Sequence, residues 1–392
     1  MIPSNYSSVP NPKFEAVSAK LEQHLEDRDL AGAVVLVAVK DEIVFFEAKG
    51  KADLGNDKPL STDSIFRVHS MTKAITSVAA LMLVERGQIE LDALVSDYLP
   101  ELRELKVHPD LGENIPGASM TVRHLMQHTA GFSYPLIGNG PVEKAYRECN
   151  VMDPSKDLAA MVEKLAELPV LFSPGSRWAY GLSTDVLGRV IEIASGSNLD
   201  EFFAKEILQP LGMMDTGFHV PSDQLPRLPA CYTSNGRGRL IENDPGASGS
   251  KFAKQPSLLS GGGGLVSTAS DYFRFLQMLL GKGQYGGTRL LSEESVKLMT
   301  TNQLPDEFPP IGFPGQPRAG FSFSLGLSVC KEPSSWDPAA KVGEYGWGGS
   351  ASTHYWVSPK DEVTVILLQQ TTPFSFLLEL SLKPLIYSAL DL

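Results

Sequence analysis

The chain has 392 residues, with 34 Lys and Arg against 46 Asp and Glu, and its net charge of −12 argues against nucleic acid or an anionic membrane as main partner. Its composition, 42% hydrophobic and 20% charged, is that of a soluble globular protein long enough for a large core and two lobes. Three widely spaced cysteines, Cys149, Cys231 and Cys330, imply no disulfide framework, and no apolar run of about 18 residues offers a membrane span.

Residues 1–15 lack the basic segment and apolar core of a signal peptide, so a cytoplasmic location is expected. Residues 14–28 read as an amphipathic helix, followed by strand-like runs at 33–39 and 43–48 joined as a hairpin. A helix is expected over 74–86, with good helix formers, apolar residues at three- and four-residue spacing, and Gly87 to end it. Helical patterns recur at 121–127, 158–168, 184–194 and 198–207, separated by Pro- and Gly-bearing loops. Strand patterns return at 321–329, at 344–347 leading on through 354–357, and at 363–368, before a closing helix over 374–390. Strands at both ends with terminal helices predict an α+β fold: one antiparallel sheet built from both chain ends, interrupted by a mostly helical lobe. The expected division is 1–89 with 260–392 for the sheet-bearing lobe and 90–259 for the helical one, with the active site at their seam.

The chemistry is concentrated where the 74–86 helix begins. In Ser70-Met71-Thr72-Lys73 the serine and lysine are three apart, so on a helix they share a face. A serine becomes a nucleophile only when a neighbouring base takes its proton, and a helix N-terminus favours the developing alkoxide. A Ser-x-x-Lys pattern is expected about once or twice by chance in such a chain. A second copy, Ser248 to Lys251, sits in a Gly/Pro/Ser-rich stretch with no helical period to hold the pair together. The plainer alternative for Ser70 and Lys73 is a helix cap and a solvated lysine.

Tyr180 ends a turn-rich approach, 172–178, just before a helical run, where its hydroxyl can face a cleft and relay protons; otherwise it is a rim aromatic. Trp347-Gly348-Gly349-Ser350 lies in the C-terminal strand region. Its glycines permit close approach of backbone to ligand, and the Ser350 N–H is positioned to share an oxyanion hole with that of Ser70; the alternative is a sheet-edge bulge. His124 and His128 have the i, i+4 spacing of a zinc pair, but neither a glutamate at 125 nor a third ligand accompanies them, so packing is expected rather than metal. His69, His219 and His354 have no evident partner in the sequence. Gly261–264 reads as a turn feeding a capped helix, without the preceding strand of a phosphate loop. No Gly-x-Ser-x-Gly occurs, which argues against an α/β-hydrolase.

Taken in order, Ser70-x-x-Lys73, Tyr180 after a Pro-Gly turn, and Trp347-Gly348-Gly349 resemble the serine β-lactamase and penicillin-binding-protein superfamily, closest to its class C-like branch and the family VIII carboxylesterases. Supporting segments are 65–67 (IFR), 124–131 (HLMQHTAG), 210–213 (PLGM) and 262–268 (GGGLVST). The resemblance spans nearly the whole chain. It implies a β-lactamase-like fold and an acyl-enzyme on Ser70, with Lys73 and Tyr180 sharing the base work and the Ser70 and Ser350 N–H groups holding the oxyanion. No metal or organic cofactor is implied.

Two departures steer the substrate. The branch's Tyr-x-Asn reads Tyr180-Gly181-Leu182, and its Lys-Thr-Gly reads Trp347-Gly348-Gly349. Losing a charge-assisted hydrogen bond is worth roughly 1.5–3 kcal/mol, which disfavours carboxylate-bearing β-lactams. Trp347, Gly348, Gly349 and Leu182 are then expected to line the pocket of a small-molecule ester. Expected activity is short-chain ester hydrolysis; the alternatives are a β-lactamase, a D-amino-acid peptidase, an acyltransferase of the same fold, or a catalytically silent scaffold. The sequence carries no signal of oligomeric state.

Overall fold

In the computed structural model, residues 8–113, 119–235 and 238–392 are described. Residues 1–7, part of the segment read for a leader, lie outside the described residues, as do 114–118 and 236–237 within the middle segment. The chain opens with α1 (Glu15–Glu26), β1 (Gly32–Val39), β2 (Glu42–Asp53) and β3 (Lys58–Pro59), then α2 (Thr72–Glu85). The middle carries α3 (Ser183–Ser195) among shorter helices; α4 (Ala269–Leu280) follows. The C-terminal part supplies β4 (Phe321–Phe323), β5 (Ser328–Cys330), β6 (Tyr345–Gly349), β7 (Thr353–Ser358), β8 (Val363–Gln369) and α5 (Leu377–Ala389).

These strands form one eight-stranded sheet in the order β4-β5-β6-β7-β8-β1-β2-β3, every pairing antiparallel. The two chain ends meet at β1 and β8, where Leu36 stands opposite Ile366. Alternation along β1 explains its unbroken apolar sequence. Val34, Leu36 and Ala38 enter the large core with α2, whereas Ala33, Val35 and Val37 pack with residues of α1 and α5 on the opposite face. At roughly 1.5–3 kcal/mol per buried aliphatic side chain, each face alone is a substantial reason for the sheet to form.

The α+β architecture expected from the sequence, with one antiparallel sheet built from both chain ends, is thus present. Some details differ. The run 321–329 is two strands, because Gly326, at φ +103°, turns where any Cβ would collide with the Ser77 side chain. Cys231–Ser234 and Leu240–Asp244, inside the middle segment, are strands rather than helix, and the first pairs in parallel with Thr371–Thr372. Helix 198–207 stops at Phe203 and gives way to a π turn over Ala204–Leu208. Cys149, Cys231 and Cys330 are all free, and among the described residues no helix is long and apolar enough to cross a membrane.

A buried ion cluster fastens α5 to the sheet. Glu379, Lys383 and Tyr387 recur every four residues and so share one face of the helix. Lys383 Nζ donates to Asp337 at 2.7 Å and Glu344 at 2.6 Å and lies 3.3 Å from Glu379; Tyr387 donates to Glu344 at 2.7 Å. His354 Nδ1 meets Glu379 at 2.7 Å. Burial opposes the charge of Glu379, but Lys383, His354 and Arg318 outweigh it and hold this carboxyl below its ordinary range. Glu344, also buried, is instead raised. Replacing Lys383 by Met leaves three buried carboxylates without their cation, and a loss of about 3–5 kcal/mol is expected in urea unfolding. An unchanged unfolding midpoint would show that the cluster stabilises nothing.

Candidate active site

Ser70 lies in a 3-10 turn, His69–Met71, that runs directly into α2. His69 adopts φ +43°, a region costly for a side-chain-bearing residue, so the chain turns sharply just before the hydroxyl. The turn is pinned from below: Tyr272 donates to the Met71 carbonyl at 2.8 Å, and the Leu265 N–H donates to Thr72 Oγ1 at 3.1 Å. Helix α2 is buried almost all round, which accounts for a lysine at 0% exposure three residues after the serine.

A buried ammonium or amine needs partners, and Lys73 has them. Its Nζ lies 3.4 Å from Ser70 Oγ, 2.9 Å from the Tyr134 hydroxyl and 2.6 Å from the Gly262 carbonyl oxygen. The expected serine–lysine pairing is present, and two partners are additions that sequence reading did not provide. Tyr134 in turn donates toward Asp185 Oδ2 at 3.4 Å, and burial together with the Asp185 charge pushes its hydroxyl pKa well up, so it stays protonated. Asp185 is fixed by Ser260 at 2.5 Å and by the Gly262 N–H at 3.1 Å. Gly262 therefore bonds to both ends of this chain of contacts, and a Cβ there would overlap Asp185. Tyr134 carries no spacing signal because it is 61 residues from Lys73. The 261–264 run was legible as the turn before α4, where the Thr268 side chain caps the helix by accepting from the Asp271 N–H at 3.1 Å.

Tyr180 reaches the same place by a different contact. Lys73 Nζ sits 4.6 Å from the centre of its ring, a cation–π approach, while the hydroxyl accepts from Trp347 Nε1 at 3.2 Å. The tyrosine ring is further packed by Tyr134 and Trp347, with centroids 5.4 and 5.2 Å away. Trp347 is on β6 and points into the cleft; Gly348, Gly349 and Ser350 follow it along the wall. The close backbone approach expected of these glycines is made, at Gly349, by protein rather than ligand: a Cβ would strike the Val68 carbonyl. This contact sets the β6 end directly beside the turn carrying Ser70.

Ser70, Tyr180, Trp347, Gly348, Gly349 and Ser350 all line one cavity of about 770 Å³. Its remaining walls are mainly apolar, from Leu136 and Ile137, Phe313 and Pro314, and Phe374 and Phe376. Leu182 does not join them. It is fully buried at the start of α3, with its N–H bonded to the Ser133 carbonyl, and its side chain belongs to the core rather than to a substrate wall. Backbone turning into α3 carries it inward, two residues after Tyr180.

The histidines take structural places. His124 closes a capping box with Thr121. His128 is fully buried, accepts from the Gly181 N–H at 3.4 Å and contacts Thr184; burial and the Lys73 charge hold its pKa well below the ordinary value, so it stays neutral. His354, without a visible partner in the sequence, bonds Glu379 and the Ser375 carbonyl. The second Ser-x-x-Lys copy is broken into 3-10 turns at Ala247–Gly249 and Lys251–Ala253, away from any shared helix face.

Comparison with known proteins follows the same lines. A family model described as Beta-lactamase matches residues 17–380. Protein Rv1367c of Mycobacterium tuberculosis is 34% identical over 354 residues, 88% of this chain and 86% of that protein. Esterase EstB of Burkholderia gladioli is 30% identical over 376 residues, 91% of this chain and 90% of that protein. The solved structure of EstCE1, described as a hydrolase with promiscuous acyltransferase activity, has a TM-score of 0.81 and 25% identity over 96% of this chain and 98% of its own. Matched from near its beginning to near its end, the chain belongs to the beta-lactamase family, in the class C-like branch that also holds esterases.

Proposed function

We propose that the protein is a serine carboxylesterase of the family VIII type, hydrolysing short-chain carboxylic esters through an acyl-enzyme on Ser70. The observation that carries this reading is the buried Lys73 amine facing Ser70 Oγ while bonded to Tyr134 and Gly262. The step requires the unprotonated form of Lys73, in which two N–H groups go to those partners and the lone pair turns to the serine. It takes the Ser70 proton as Oγ bonds to the ester carbonyl carbon. The N–H groups of Ser70 and Ser350 hold the oxyanion. The C–O bond to the alcohol then breaks, and the alkoxide takes a proton through Lys73 and Tyr180. Because the Tyr180 oxygen already accepts from Trp347, its own O–H remains available to donate. Water repeats the sequence on the acyl group, releasing the acid and restoring Ser70.

Acyl transfer to an alcohol is the second reading. The apolar walls of the cavity favour it by favouring an organic acceptor over water, and EstCE1 is described as having such an activity.

In this reading Ser70→Ala abolishes labelling by a fluorophosphonate and lowers ester turnover at least about a thousandfold. Retained turnover in pure protein would remove the assignment. Tyr134→Phe takes one hydrogen bond from the lysine, so kcat should fall about ten- to a hundredfold while Ser70 can still be acylated. Equal kcat in variant and wild type would leave Tyr134 a packing residue. With Trp347 in place of the lysine of the Lys-Thr-Gly motif, p-nitrophenyl acetate and butyrate should be turned over faster than nitrocefin. The reverse order in parallel assays would favour a β-lactamase.

A further inference from the structure

We propose that Arg318 forms a subsite for a carboxylate carried by the ester substrate, on the inner wall of the cavity that holds Ser70. This proposal rests on the esterase reading and names the substrate class within it. Among the described residues Arg318 is the one charged residue lining that cavity, and it is only 5% exposed. Its Nε is buried without a hydrogen-bond partner, and no ion pair to its guanidinium is formed among the described residues. A buried guanidinium left in this state is costly unless an acceptor arrives.

Its surroundings hold the group by its faces. The guanidinium carbon lies 4.5 Å from the ring centres of both Phe321 and Trp336, 5.1 Å from that of Phe376 and 5.6 Å from that of Trp347. Ring faces satisfy the cation but offer no acceptor to the in-plane N–H edge, which is the edge that grips a carboxylate. Three carboxylates stand nearby, yet each is already engaged. Lys383 holds Asp337 and Glu344, Tyr387 also bonds Glu344, and His354 and Lys383 hold Glu379. They attract Arg318 only through space. A small chamber of about 10 Å³ separates the arginine from Glu344 and Glu379 and is large enough for about one water, whereas the other opening of Arg318 is the 770 Å³ cavity. A cation is therefore retained in this cleft, but at a different place from the lysine that Trp347 replaces.

The test uses the purified full-length protein and two substrate series. In one, monoethyl esters of four- to six-carbon dicarboxylic acids are compared with the same ethyl esters bearing a terminal primary amide. In the other, acetate esters of short ω-hydroxy acids are compared with their terminal amides. The expected result is a kcat/KM ratio of carboxylate to amide of about ten to one hundred in at least one series. In Arg318→Met, whose unbranched apolar chain can fill the space among the rings, that ratio should fall to about one; Arg318→Lys should keep part of it. The ratio is the readout, so a general loss of activity does not imitate the effect, and the wild-type ratio stands even if a variant fails to fold. Turnover of amide-bearing esters with no carboxylate preference in either series, or a preference unchanged in Arg318→Met, overturns the subsite and leaves the esterase reading intact. No turnover of any ester, with Ser70 unlabelled by a fluorophosphonate, removes the esterase reading and the subsite with it.

Discussion

An amine shut away from bulk water has to find all of its hydrogen-bond partners inside the protein, and the Ser70 side of the cleft is arranged around that demand. Lys73 meets it with the Gly262 carbonyl, the Tyr134 hydroxyl and Ser70. The three come from a glycine run, a loop and the 3-10 turn that leads into the amine's own helix. Each must be held in turn, which is why Asp185 is anchored by Ser260 and by the Gly262 N–H. Without the apolar burial of α2 the lysine would be solvated, and Ser70 would have no amine held against it.

The sheet provides the opposite wall. Strand β6 runs between β5 and β7 and carries Trp347 and the two glycines past the nucleophile turn. Trp347 takes two parts there: its ring bounds the cleft, and its indole N–H orients the Tyr180 hydroxyl. One side chain thus both bounds the cleft and bonds the Tyr180 hydroxyl, in the position where the resemblance would place a lysine.

Features governed by local periodicity could be read from sequence, and features made by distant chain segments could not. The strand-like run of β1, the helical spacing after Lys73 and the turn feeding a capped helix at α4 are short-range and were visible. So was the Ser70–Lys73 pairing, because a helix fixes residues three apart. Tyr134 was hidden because nothing in its own neighbourhood records a contact 61 residues away. Arg318 carries no signal in the sequence, because the rings around it, from Phe321, Trp336, Trp347 and Phe376, come from separate elements. Leu182 misled for the opposite reason. Its place in a motif suggested a substrate contact, but the turn into α3 directs it to the core. The split at Gly326 depends on the Ser77 side chain of α2, which no strand pattern can reveal.

At Gly349 the backbone of β6 rests directly on the Val68 carbonyl, leaving no room for a side chain of any size. The spacing between the Ser70 turn and strand β6 is thereby inherited from the framework itself and is closed to gradual adjustment. New selectivity would have to be acquired at the rim instead. There Leu136, 88% exposed, together with Pro314 and Gln316, borders the cavity.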